Sequence, residues 1–109
     1  MIDSVRAGKR NGYQTSKDYK TIQELCHLFI QVICKGGRFL LNLGPNPDGS
    51  LDREEVVRLE GLGEWISRNK EAIHDTEAGP IPLSTRKKNT VYEFYLVETG
   101  WVYRTYRTE

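Results

Sequence analysis

No stretch of this sequence is apolar over the roughly 20 residues that a membrane-spanning helix needs, so no membrane partner is expected. The first ten residues, Met1 to Arg10, lack an apolar h-region and are expected to carry no secretory signal. Net charge is lacking too. The 16 basic and 15 acidic side chains leave +1, too weak a field to draw a polyanion, and no nucleic-acid partner is expected. Apolar residues fill only 38% of the 109 positions, which points to one modest core. There is no Gly-rich phosphate loop followed by Lys and Ser or Thr, and no nucleophile elbow, which argues against both of those chemistries.

Cysteine and histidine are also scarce, at two residues each. Cys26 and Cys34 stand eight positions apart on one predicted helix, where a rise of about 1.5 Å per residue separates them by about 12 Å, too far for a disulfide. They are read as core thiols. His27 adjoins Cys26 rather than standing at metal-ligand spacing, and His74 is isolated, so no metal or other cofactor is expected.

What is present is organised around Lys35-Gly36-Gly37-Arg38-Phe39-Leu40-Leu41-Asn42-Leu43-Gly44-Pro45. The apolar run between glycines predicts a strand buried on both faces, the pattern of a parallel sheet covered by helices. No second run of this kind occurs, so the sheet is completed either by another chain or, the favoured expectation, by the rest of a larger protein to which this sequence belongs. Residues 1 to 20 read as loop, with a short strand as the alternative.

At Thr21-Ile22-Gln23-Glu24 a capping box opens a helix, and Ile22, Leu25, Leu28, Phe29, Val32 and Ile33 recur on one face of it. Gly36-Gly37 can supply its left-handed end. After the strand, Pro45-Asn46-Pro47-Asp48-Gly49-Ser50 is a turn signal. Asp52-Arg53-Glu54-Glu55 predicts a second capping box and a helix to about Asn69. In it Val56, Leu59, Leu62 and Ile66 share a side, Trp65 is buried, and Gly61 and Gly63 permit close packing.

At Gly79-Pro80-Ile81-Pro82 the composition shifts, which predicts a domain boundary. Beyond it the period becomes two. Residues 90–97 and 101–106 predict antiparallel strands around Glu98-Thr99-Gly100, with Leu83 to Arg86 as an earlier partner across Lys87-Lys88-Asn89.

Loops at strand C-terminal ends carry the active site in barrels of alternating strands and helices. Asn42 is therefore a candidate, although an amide in an apolar strand more often braces a neighbouring loop. Asp48 reads as turn chemistry before a catalytic carboxylate, and Glu71 is the next acidic candidate. Arg86-Lys87-Lys88 and the nearby tyrosines could form a stacking platform for RNA, but alternating aromatics on strands more often pack a sheet.

Taken in order, Gly12-Tyr13, Asp18-Tyr19-Lys20-Thr21, Lys35-Gly36-Gly37, Leu40-Leu41-Asn42, Gly44-Pro45, Asp48-Gly49, Gly63-Glu64-Trp65-Ile66, and Asn69 with Glu71-Ala72-Ile73 resemble the α-L-fucosidases of glycoside hydrolase family 29. The likeness is close over residues 12 to 76 and looser at Thr85-Arg86-Lys87 and Thr90-Val91-Tyr92. It implies an α/β fold in which residues 1–78 are the last helix-strand-helix part of a (β/α)8-type barrel and residues 79–109 the first antiparallel strands of a β-sandwich. It implies a fucosylated glycan as partner, with Asn11, Gly12 and Tyr13 at the substrate, Asn11 standing where the family has an aromatic. Retaining glycosidases need two carboxyl groups about 5–5.5 Å apart. The family carries its aspartate nucleophile and glutamate acid/base on earlier segments, so no catalytic residue is expected in this chain and no hydrolysis by it alone. The family is typically secreted, periplasmic or lysosomal. Two readings stand: a C-terminal part of an α-L-fucosidase-like hydrolase, or a non-catalytic remnant that binds glycan or a partner protein.

Overall fold

The computed structural model describes residues 2–6, 20–42 and 47–108, with the backbone alone at 2–6 and at Asn42. Strand β1, Ile2–Arg6, leads through the first helix α1, Ile22–Ile33, to strand β2, Arg38–Asn42. The two strands pair in parallel, Ile2 with Arg38 through Arg6 with Asn42, and α1 lies against both. This is a β–α–β unit. The short strand that residues 1–20 left open as an alternative is therefore real, although Asp3, Ser4 and Arg6 gave it no apolar run to announce it.

Helix α1 begins as its sequence dictates. The Thr21 hydroxyl accepts from Glu24 N–H at 3.1 Å, and Thr21 N–H donates back to the Glu24 carboxylate at 2.8 Å. These two bonds satisfy backbone donors that a helix start otherwise leaves open. At the other end Gly36, at φ +78°, turns the chain left-handed, and Gly37 N–H closes on Val32 C=O at 3.0 Å. The buried face is Leu25, Cys26, Phe29, Ile30 and Val32.

Strand β2 departs from expectation. Phe39 and Leu41 pack on the core, but Leu40, on the opposite face, is 51% exposed. Successive side chains alternate between faces, and α1 covers only one of them. Among the described residues the other face is open.

Helix α2, Arg53–Arg68, starts at Asp52, but the second capping box does not form, because Asp52 makes no side-chain cap bond and Glu55 is turned into the interior at 1% exposure. The first turn is instead tied by an ion pair between Glu54 and Arg58, whose Nε donates to Lys20 C=O at 2.9 Å. The predicted apolar side is also rotated. Glu55, Leu62 and Trp65 are the buried positions, whereas Val56 and Leu59 are exposed. Of these two glycines only Gly61 sits at a close approach among the described residues, beneath Ile22, whereas Gly63 meets none of them.

A 3-10 turn at Lys70–Ala72 leads into a four-stranded antiparallel sheet in chain order: β3, Glu77–Ala78; β4, Ser84–Lys87; β5, Thr90–Val97; and β6, Gly100–Arg107. The first of these precedes Gly79, so the Gly79–Pro82 segment serves as the β3–β4 connection. Ser84 holds that turn by donating its hydroxyl to Ile81 C=O at 2.5 Å. The inner face of β5 and β6 meets the helices. A run of rings crosses the junction: Phe39 to Phe29 at 5.4 Å, Phe29 to Trp65 at 6.3 Å, Trp65 to Phe94 at 6.0 Å and Phe94 to Tyr103 at 6.0 Å. Helices and sheet share one hydrophobic core.

Candidate functional site

The parallel register sets Arg6 opposite Asn42, so the chain leaves β1 and β2 at the same end of the sheet. In α/β folds that end carries the functional loops. The segments after it contain Asn11, Gly12 and Tyr13, and residues 43–46; all lie outside the described residues, as does the side chain of Asn42.

The acidic candidates that are described have local duties. Asp48 accepts from both the backbone N–H and the hydroxyl of Ser50, at 3.0 and 2.6 Å. Those two bonds from Ser50 hold its exposed carboxyl below the ordinary range, as an Asx turn requires. Glu71 stands beside Tyr92, whose hydroxyl lies at the 3.5 Å limit of a hydrogen bond, and Lys87 Nζ donates to Glu71 C=O at 3.1 Å. Burial, reinforced by the Glu71 charge, raises the Tyr92 phenol above its usual value. Neither carboxylate is set up as a nucleophile. Among the described residues no three His, Cys, Asp or Glu side chains gather as a metal site. His74 is exposed, while His27 stacks on Trp101 with ring centres 4.9 Å apart.

The exposed aromatics of β5 and β6 are likewise engaged. Arg104 lies over the rings of Tyr95 and Tyr106 at 5.3 and 5.4 Å, and its Nε donates to Glu93 at 2.9 Å. Tyr106 donates its hydroxyl to the same carboxylate at 2.7 Å. The Tyr106 bond first, then Arg104, keeps Glu93 below the ordinary carboxyl range.

Among the described residues a concavity lies where the sheet meets the helices. It is a cleft of about 370 Å³ between α1, the C-terminal end of α2 and the β5–β6 turn. Three contacts fix its walls. Trp65 Nε1 donates to Trp101 C=O at 2.8 Å, Asn69 Nδ2 donates to Trp65 C=O at 2.8 Å, and His27 holds the Trp101 ring by stacking. Gly100, at φ +130°, is pressed on α1 so closely that a Cβ there would come within 2.9 Å of the Gln23 amide nitrogen. Sequence reasoning missed this site. Trp65 and Trp101 are 36 residues apart, and nothing local in either segment signals that they bond.

The α-L-fucosidase family model matches residues 3–71. Plasma α-L-fucosidase of Homo sapiens is 37% identical over 75 residues, which are 69% of this chain and 16% of that protein. Tissue α-L-fucosidase of Rattus norvegicus is 34% identical over 98 residues, 87% of this chain and 21% of that protein. The chain thus spans about a fifth or less of the length of these relatives. The crystal structure of Thermotoga maritima α-fucosidase in complex with fucose superposes with a TM-score of 0.79 at 28% identity, over 87% of this chain and 26% of that one. By sequence over more than half its length, and by the course of its helices and strands, this chain belongs to the α-L-fucosidase family.

Proposed function

We propose that this chain supplies the closing part of an α-L-fucosidase, with the part from β1 to α2 completing a (β/α)8-type barrel and the sheet from β3 to β6 opening a β-sandwich. The whole enzyme removes terminal α-L-fucose from glycans with retention, through a covalent glycosyl-enzyme. Its nucleophile and acid/base come from barrel strands that precede β1. Asn11, Gly12 and Tyr13 lie at the sugar, on the segment that follows β1. Asn11 there offers hydrogen bonds in place of aromatic stacking.

One observation carries this reading. Parallel sheets occur almost only with both faces covered, yet β1 and β2 form a pair, Leu40 projects 51% exposed from the face away from α1, and Val56, Val57 and Leu59 are exposed on α2. A barrel interior takes up Leu40, and neighbouring barrel helices take up the α2 residues. The names of its α-L-fucosidase relatives support fucosylated glycans as the substrate class.

Release of 4-nitrophenol from 4-nitrophenyl α-L-fucoside provides the test. The 109-residue chain alone is expected to release none. A chimaera with this chain in place of the matching segment of a related α-L-fucosidase is expected to hydrolyse the substrate. A folded chimaera without activity sinks the reading, and turnover by the chain alone turns attention to Asp48 and Glu71.

A further inference from the structure

We propose that the cleft between α1, α2 and the β5–β6 turn is a binding subsite for one neutral sugar residue of a glycan. At about 370 Å³ it falls at the small end of the roughly 300–1,000 Å³ range of small-molecule sites. Its lining combines apolar surface with short uncharged polar groups. Ile22, Trp65, Trp101 and Val102 give the apolar part, and Gln23, Asn69 and Thr99 the polar part. A sugar hydroxyl both donates and accepts, and the Gln23 amide and Thr99 hydroxyl can each do the same. Among the described residues neither is engaged in a hydrogen bond. Asn69 commits its amide N–H to Trp65 and leaves its oxygen as an acceptor.

The lining also argues against other ligands. Among the described residues no carboxylate lines the cleft, and burial raises the Cys26 thiol to about 11, so it offers no thiolate for a metal. Among the described residues Arg68 is the one cation of the lining, and it lies 3.6 Å from Glu64 in a pair that is two-thirds exposed on both sides. Its guanidinium can swing to donate to a hydroxyl without presenting a fixed anion site. The walls are set in advance by the Trp65–Trp101 bond, the His27–Trp101 stack and the seating of Gly100 on Gln23. A preformed site keeps weak sugar contacts from being lost to ordering.

This proposal needs no catalytic group, and its test reads binding rather than turnover. Both tryptophans of the chain line the cleft, so their emission reports its occupancy. The chain is titrated with L-fucose, D-galactose, N-acetyl-D-glucosamine and, as a carboxylate probe, propionate. A saturable change with at least one sugar is expected. Gln23→Ala should raise the apparent Kd by about three- to tenfold, the range of one hydrogen bond. Thr99→Arg, a substitution at an exposed turn residue that fills the mouth, should abolish the response. Lys35→Ala, in the exposed turn that follows α1, should leave it unchanged. Circular dichroism confirms that each variant folds, and Thr99→Arg alone decides if Gln23→Ala does not. A response that never saturates, saturation by propionate only, or equal binding by the Thr99→Arg variant overturns the proposal.

Discussion

Replacing Gly61 by alanine sets two energies of similar size against each other. In the interior of α2 alanine is favoured over glycine by about 0.8–1.0 kcal/mol, through lower backbone entropy in the unfolded chain. The new Cβ, however, would stand 2.6 Å from Ile22 Cδ1, 3.1 Å from Cγ1 and 3.4 Å from Cγ2. Swinging Cδ1 aside relieves the worst contact. Cγ1 and Cγ2 stay, since a β-branched side chain has little freedom at χ1. Overpacking of this kind costs about 1–3 kcal/mol. Gly61→Ala is therefore expected to destabilise by up to about 2 kcal/mol, the overpacking less the helix gain. Gly63→Ala meets nothing within 4 Å among the described residues and should stabilise by about 0.8–1.0 kcal/mol. Ile22→Val alone should cost about 0.5–1.5 kcal/mol, and in the Gly61→Ala background it should bring no recovery, because valine keeps the two Cγ carbons that stay in contact while the Cδ1 it removes has already swung aside. Urea unfolding followed by tryptophan emission measures the four variants against the parent chain. If Gly61→Ala stabilises as much as Gly63→Ala, the close approach of α1 and α2 at this point is wrong.

Thr21→Ala removes one half of the α1 capping box and should cost about 1 kcal/mol of stability in the same assay; an unchanged midpoint would show that Glu24 and tertiary packing hold the helix start alone. Burial pushes the Cys26 and Cys34 thiols up to about 11 and about 12 from an ordinary value near 9, so at pH 8 both stay protonated. Iodoacetamide should then modify the folded chain far more slowly than the urea-unfolded one, and equal rates would place the thiols outside the core. The native state keeps protons that the unfolded state releases above about pH 9, so stability falls as pH rises from 9 toward 11. Replacing both cysteines by alanine should flatten that slope, by up to about 1.4 kcal/mol per pH unit for each thiol.

The features legible in the sequence were those that a few neighbouring residues encode. Thr21 and Glu24 announce the start of α1 because both reciprocal bonds fall within one turn. The period-two run from Thr90 to Val97, the break at Glu98-Thr99 and the Lys88-Asn89 turn announce β4, β5 and β6 in the same way. What failed depends on distant partners. Ile2-Asp3-Ser4-Val5-Arg6 is too polar to advertise a strand, and pairing with β2 is what makes it one. The buried stripe of α2 runs through Glu55, Leu62 and Trp65 because the core lies on that side, whereas the apolar residues Val56 and Leu59 suggested another. The two glycines of α2 look alike in the sequence, and only the position of Ile22 tells them apart. The cleft is the extreme case, since its walls come from three elements joined by bonds between segments far apart in the chain.

The unbroken run of rings from Phe39 to Tyr103 also governs how this part of the family can evolve. Trp65 touches Phe29 on one side and Phe94 on the other, so a change in its size is felt by α1 and β5 together. Positions 29, 65 and 94 should drift as a correlated trio across relatives, and an exchange of the sheet between two family members should succeed only when α2 travels with it. The unit of inheritance here is the joint between helix and sheet.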